Sequence, residues 1–294
     1  MKQVYNITDL REQITNWTLQ EESKIVLVPT MGALHEGHLT LVRSARQLGT
    51  RVIVSIFVNP SQFNDPNDFQ RYPRDEAKDL DLLRQENVDM VFTPSPEVMY
   101  PQPFMTTVSV PEIAKDMEGA FRPGHFDGVA TVVTKLLLQT LPDFAIFGEK
   151  DFQQLCLIET LVRDLNIPVN ILGAKIVRDE EGLALSSRNT LLSEDGIAQA
   201  RHLNKVLFSI ARLIQTGGVS ISEAQGVGLA QLAEAGFDRV DYLELRDAET
   251  LKPVTETNIG RKMRLLTAVY VEGVRLIDNV QVNNASDWIS GFGK

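Results

Sequence analysis

Lys24-Ile25-Val26-Leu27-Val28-Pro29-Thr30-Met31-Gly32-Ala33-Leu34-His35-Glu36-Gly37-His38-Leu39 is the stretch from which the rest of this chain can be read. Ile25 to Val28 reads as a buried strand, Met31 to Leu34 as a glycine-containing turn, and a helical pattern begins near His35. Such a strand, turn and helix start favours an anion. The first helical amides lack intrahelical partners, the macrodipole adds roughly half a positive charge there, and phosphate oxygens accept what those amides donate. His35 and His38 lie three apart and share a helix face, so both can donate to the same phosphoryl oxygens. Gly32 and Gly37 let backbone and phosphate approach closely. Two other uses of the pair stay open: metal ligation, with only His125 and His202 remaining as nitrogen donors and no His-Glu-x-x-His pattern, and plain decoration of a helix cap.

Outward from this stretch, apolar runs alternate with helical ones. Arg51 to Val58 reads as the next strand, Asp75 to Glu86 as an amphipathic helix and Asp89 to Thr93 as a strand. Asp127 to Thr140 follows as a helix, Phe144 to Gly148 as a strand, about Lys150 to Leu165 as a helix, and Val169 to Val177 as a strand. Near-continuous apolar strands separated by helices predict an α/β fold with a Rossmann-like parallel sheet covered on both faces. Ligands of such sheets bind beyond the carboxyl ends of strands, where His35, the pair Asn59 and Gln62, and the pair Glu149 and Lys150 all fall. Arg178-Asp179-Glu180-Glu181-Gly182 marks a charged turn, which divides the chain into residues 1–178 and a smaller α+β domain over 179–294. In the latter, one long helix is expected over Glu194 to Thr216, a second over Ser222 to Ala235, then strands near Val240 to Leu245, Met263 to Tyr270 and Val274 to Ile277. A frayed tail is expected after Val282.

Composition limits the partners. The 294 residues are 43% hydrophobic, enough for a sizeable core, and the net charge of −10 repels a nucleic-acid backbone in the absence of a lysine or arginine cluster. The lone Cys156 suits a reducing compartment, no run approaches eighteen apolar residues, and Met1 to Tyr5 holds no apolar signal core. The expectation is a soluble cytoplasmic protein that binds neither nucleic acid nor membrane.

Three further segments carry chemistry. Asn59 and Gln62 in Phe57-Val58-Asn59-Pro60-Ser61-Gln62-Phe63 each donate and accept, as reading a hydroxy acid requires, although the segment also suits an ordinary Asn-Pro turn. In Gly148-Glu149-Lys150-Asp151, Lys150 can neutralise charge on a transferred phosphoryl group, while Asp151 can cap the helix or hold Mg²⁺; a solvated charged cap is the plainer alternative. Gln154 lies one turn on and can face the same crevice. Leu185-Ser186-Ser187-Arg188 combines two hydroxyls with a guanidinium, a donor set for β- and γ-phosphates on a loop that could close over a nucleotide. Arg122 to Gly128 adds a basic turn whose role its spacing leaves unassigned.

In order along the chain, residues 29 to 38, 57 to 63, Tyr72-Pro73-Arg74, Arg122 to Val129, 147 to 151, Leu185-Ser186-Ser187-Arg188-Asn189 and Asp241-Tyr242-Leu243-Glu244-Leu245 resemble the pantothenate synthetase (pantoate–β-alanine ligase) family. That resemblance implies a nucleotidyltransferase fold and a two-step ligation, in which pantoate is adenylated by ATP with release of pyrophosphate and β-alanine then displaces AMP. It implies ATP contacts from Met31, Gly32, Ala33, Leu34, His35, Glu36, Gly37, His38, Gly148, Glu149, Lys150, Asp151, Val177, Leu185, Ser186, Ser187 and Arg188. His38, His35, Lys150 and Arg188 would carry the chemistry, with His38 as proton donor. Gln62 and Gln154 would hold pantoate, and Gln62 would serve β-alanine too. Mg²⁺ would accompany the β- and γ-phosphates without a dedicated protein cage. The 179–294 domain would act as a lid carrying the Ser-Ser-Arg phosphate loop, and the protein would be a homodimer. Leu185 stands where many members of that family carry methionine, a volume-conserving exchange. Three other activities share some of these features: transfer of AMP to a phosphate ester, a tRNA synthetase, and nucleotide binding without catalysis.

Overall fold

The computed structural model of the protein describes residues 1–20, 23–256 and 262–282. The expected tail beyond Val282 lies outside them. Two compact units emerge: Met1–Glu149 with Gln153–Val177, and Lys150–Phe152 with the chain from Arg178 onward.

The first unit is built on β1 (Lys2–Val4), β2 (Ile25–Thr30), β3 (Arg51–Ile56), β4 (Met90–Phe92), β5 (Phe144–Gly148) and β6 (Asn170–Ala174). They form one sheet in the order β1-β4-β3-β2-β5-β6, and every pairing is parallel. Successive strand residues face opposite sides, which explains the unbroken apolar runs: Ile25, Leu27 and Ile53 join one core, whereas Val26, Val28, Val52 and Val54 join the other. The first core is covered by helices Ile7–Gln20, His125–Thr140 and Phe152–Asp164, and the second by Glu36–Leu48 and Glu76–Gln85. From β2 the chain steps to β3 on one side, while β5 lies on the other. The carboxyl ends of β2 and β5 therefore form the switch point at which an open parallel sheet leaves a crevice.

In the second unit, β7 (Arg239–Asp247), β8 (Met263–Val271) and β9 (Val274–Val282) make an antiparallel meander. Leu203, Leu207, Ile210 and Ile214 of helix His202–Thr216 bury against Leu245, Leu265, Val269 and Val280 of that sheet. The single helix expected over Glu194 to Thr216 is two, Glu194–Ala200 and His202–Thr216. Arg201 at the break binds Asp179 at 2.9 Å and Glu181 at 2.6 Å, pairs that local sequence pattern does not reveal.

Candidate active site

The turn after β2 is shaped by backbone that few residues adopt. Gly32 has φ +79° and Ala33 φ +50°, and two consecutive left-handed residues turn the following amides to one side. Those of Ala33 and Leu34 point to the Asp79 carboxylate at 2.8 and 2.7 Å. Asp79 is 2% exposed, and burial pushes its carboxyl above the usual carboxylate range. A Cβ on Gly32 would lie 2.9 Å from Asp79 Oδ2 and 3.1 Å from Ile56 Cγ2, so glycine is needed for space as well as for its backbone.

The helix Glu36–Leu48 starts on His35, whose extended backbone (φ −137°, ψ 174°) makes it the N-cap. His35 Nδ1 accepts from Gly37 N at 3.1 Å, and His38 Nδ1 accepts from His35 N at 3.4 Å: a capping box in which imidazoles replace the usual serine and glutamate. The two rings lie 4.1 Å apart. With Nδ1 accepting in both, each neutral ring carries its proton on Nε2, the edge that can donate to a phosphoryl oxygen. The Nδ1 atoms of both side chains are thus taken up by the helix cap.

Beside them, the turn Pro60–Gln62 follows β3, with Asn59 and Gln62 buried and Ser61 exposed. Asn59 is 1% exposed; its amide donates to Gln62 Oε1 and Gly128 O at 3.1 Å each, and its Oδ1 accepts from Tyr100 Oη at 2.8 Å and Ser61 Oγ at 2.9 Å. Gln62 Nε2 lies 2.9 Å from Met31 Sδ, which joins the β3 turn to the β2 turn. His125 donates from Nδ1 to Gln62 O at 2.7 Å and receives Arg122 Nη1 on Nε2 at 3.3 Å. Helix His125–Thr140 packs so closely here that a Cβ at Gly128 would lie 2.4 Å from Ser61 O and 2.7 Å from Gln62 N. Met31 to His38, Asn59, Gln62, Gly148 and Glu149 all follow or end the adjacent strands β3, β2 and β5, as the strand-end rule predicts. Gln154 lies in Phe152–Asp164, and Val177 closes the first unit.

Lys150 and Asp151, expected to belong with the parallel-sheet domain, cluster with the second unit. Asn279 Nδ2 donates to Lys150 O at 3.0 Å, Asn279 Oδ1 accepts from Arg264 at 2.9 Å, and the Arg264 guanidinium stacks 4.1 Å over the Phe152 ring. Lys150 Nζ lies 3.9 Å from Asp151 Oδ2. In the same unit, Ser186 caps the short helix Ser187–Leu191 by accepting from Arg188 N at 3.2 Å, and Asn189 ties that loop to Ala184 O at 3.0 Å. Leu185 and Arg188 are half-buried and Ser187 is buried.

Residues 2–281 match the family described as Pantoate-beta-alanine ligase. The chain belongs to that family. A pantothenate synthetase of Cereibacter sphaeroides is 51% identical over 276 residues, 94% of this chain and 98% of that protein. One from Mesorhizobium japonicum is 47% identical over 279 residues, 95% and 97% of the two chains. Among solved structures, a pantothenate synthetase from Thermus thermophilus superposes with a TM-score of 0.89 at 42% identity, covering 96% of this chain and all of that one. The pantoate–β-alanine ligase of Francisella tularensis, complexed with β-γ ATP and β-alanine, superposes with a TM-score of 0.79 at 36% identity, covering 95% and 97%.

Asp79, Tyr100 and His125 are the site-building residues that motif reading leaves without a role. Asp79 does leave a trace: it shares the buried stripe of its helix with Leu80 and Leu83, where a carboxylate is out of place unless something satisfies it. His125 reaches Gln62 across 63 positions, and Tyr100 reaches Asn59 across 41.

Proposed function

We propose that this protein is an ATP-dependent pantoate–β-alanine ligase that works through a pantoyl adenylate. The observation that carries this reading is the imidazole-capped helix N-terminus at the sheet's switch point, with the buried amides of Asn59 and Gln62 beside it. In the first step, a pantoate carboxylate oxygen attacks the α-phosphorus of ATP and the bond to pyrophosphate breaks. In the second, the β-alanine amine attacks the acyl carbon, AMP leaves with its bonding pair, and the amine loses a proton to give the amide. An anion must approach an anion in the first step, so the protein's contribution is positioning and charge neutralisation.

His35 and His38 donate from Nε2 to phosphoryl oxygens, with His38 as the proton donor. Lys150 and Arg188 take up the charge that builds on the leaving pyrophosphate, joined by the hydroxyls of Ser186 and Ser187. The segments Met31 to His38, Gly148 to Asp151, Val177 and Leu185 to Arg188 contact ATP. Gln62 and Gln154 read the pantoate hydroxyl and carboxylate groups, and Gln62 also serves β-alanine. Mg²⁺ would accompany the β- and γ-phosphates, bound mainly through phosphate oxygens and water. Asp151, whose carboxylate is half-exposed, could add an oxygen to that hydration shell. In the same reading the second unit is a lid, the protein is a homodimer, and it resides in the cytoplasm; no helix among the described residues is long and apolar enough to cross a membrane.

The test is a two-stage assay. ATP and pantoate together should release pyrophosphate in an amount set by enzyme concentration, and β-alanine should then release AMP with formation of the amide. Pyrophosphate release that β-alanine leaves unchanged, with no amide formed, would overturn the assignment.

A further inference from the structure

Ala33 and Leu34 present two successive amides toward one point, a concavity of the kind that phosphate-binding loops use to hold an anion. Here the anion is the protein's own. Asp79 fills the concavity with both carboxylate oxygens, at 2.8 Å from Ala33 N and 2.7 Å from Leu34 N. The wedge sits on a fixed support: helix Glu76–Gln85 is capped by Asp75, whose side chain accepts from Lys78 N, and anchored by buried Leu80 and Leu83. The turn it holds includes an alanine in the left-handed region, a conformation that persists only when surrounding contacts over-determine it. Gly32 belongs to the same device, because any Cβ there would reach Asp79 Oδ2.

We propose that Asp79 is a positioning residue that sets the register of the triphosphate: by occupying the amides of Ala33 and Leu34, it confines phosphate contact to the helix start at His35 to His38 and leaves Met31 to Leu34 to meet the rest of the nucleotide. The inference rests on the assignment of ATP to this helix end. Asp79 makes no contact with ligand itself; it selects which donors the ligand meets and holds His35 at the angle from which the capping box is built. Replacing the carboxylate by an amide sets an NH₂ group against one of the two backbone N–H groups. That frees the turn to offer Ala33 or Leu34 to a phosphate in the wrong register.

The experiment measures ATP binding by calorimetry, and KM for ATP and for pantoate in pyrophosphate release, in the full-length protein and its Asp79→Asn and Asp79→Glu variants. Asp79→Asn should weaken ATP binding and raise KM for ATP by ~10-fold or more, as a misplacement of the loop approaching 1 Å would. KM for pantoate should stay within about 2-fold, since the Asn59–Gln62 turn is braced from helix His125–Thr140. Asp79→Glu, which keeps the carboxylate on a longer stem, should recover part of the loss. A folded variant with a lowered melting temperature but unchanged ATP affinity would overturn the inference and reduce Asp79 to a structural acceptor. Equal changes in both KM values, or Asp79→Glu no better than Asp79→Asn, would do the same. Failure of the wild-type protein to bind ATP would instead sink the assignment on which the inference rests, so the two failures are distinguishable.

Discussion

Substituting Gly128 by alanine tests the braced turn at its tightest point. The added methyl would lie 2.4 Å from Ser61 O and 2.7 Å from Gln62 N, so helix and turn must separate by about 1 Å to regain ordinary van der Waals contact. Both atoms it meets are backbone, so no rotamer change relieves the overlap. Separation stretches the Asn59–Gly128 O and His125–Gln62 O hydrogen bonds, each worth about 0.5–1.5 kcal/mol net, on top of roughly 1–3 kcal/mol for overpacking. Alanine's better helix propensity returns about 1 kcal/mol. The net destabilisation is about 1–5 kcal/mol, or on the order of 2–10 °C in melting temperature for a chain of this size. Because the displaced atoms carry Gln62, KM for pantoate should rise on the order of 10²-fold, while KM for ATP changes much less. The assay is pyrophosphate release at saturating ATP across a pantoate series, paired with a thermal melt. A variant that melts within a degree of wild type with its pantoate KM intact would refute the claim that this helix holds the turn in place.

Lys150→Ala should cut pyrophosphate release by on the order of 10²-fold or more in a protein that remains folded; full activity would remove Lys150 from the mechanism. Gln62→Ala should raise KM for pantoate with a smaller effect on ATP, and kinetics with the opposite pattern would take Gln62 out of the acid pocket. In the second unit, Arg178 pairs with Asp278 at 2.7 and 2.9 Å, and the Asp278 side chain is 3% exposed. Asp278→Ala leaves the guanidinium without its carboxylate and should cost about 3–5 kcal/mol in denaturant unfolding, whereas a loss under about 1 kcal/mol would contradict that arrangement. Glu272 accepts from the hydroxyl and the amide of Ser193, which hold its carboxyl below the usual range. A lowered folded value means that its stabilisation is complete above the usual carboxylate range and fades as pH falls through the folded value. The melting-temperature gap between wild type and Glu272→Gln should therefore narrow on acidification from about pH 6 to about pH 3; a gap that widens would reverse the sign of the linkage.

Strands are the most legible part of the fold, because Ile25 to Val28 and Arg51 to Ile56 are apolar on both faces and only a doubly covered parallel strand asks for that. Helix Ile7–Gln20 is hidden from such a reading. It buries Leu10, Ile14 and Trp17 at helical spacing, but its threonines and Asn16 are poor helix formers that blur the signal. Around the site, what the sequence exposes are residues whose chemistry is unusual for a surface turn: paired imidazoles, paired amides, and a lysine just past a strand. What it conceals are ordinary residues made important by distant partners. Asp79 reaches its amides across 45 and 46 positions, and Asn279 reaches Lys150 across 129. No local window contains both ends of such a bond.

The grip of Asn279 and Arg264 on Lys150–Phe152 has a practical corollary for anyone dissecting the polypeptide. The backbone switches allegiance at residue 150, returns at 153 and switches again at 178, so cutting after Val177 does not yield a self-sufficient half. Such a fragment would keep its ammonium group yet lose the carboxamide that fastens the adjacent peptide. Complementation by the severed 178–294 piece is then the sensitive measure of how much that fastening contributes.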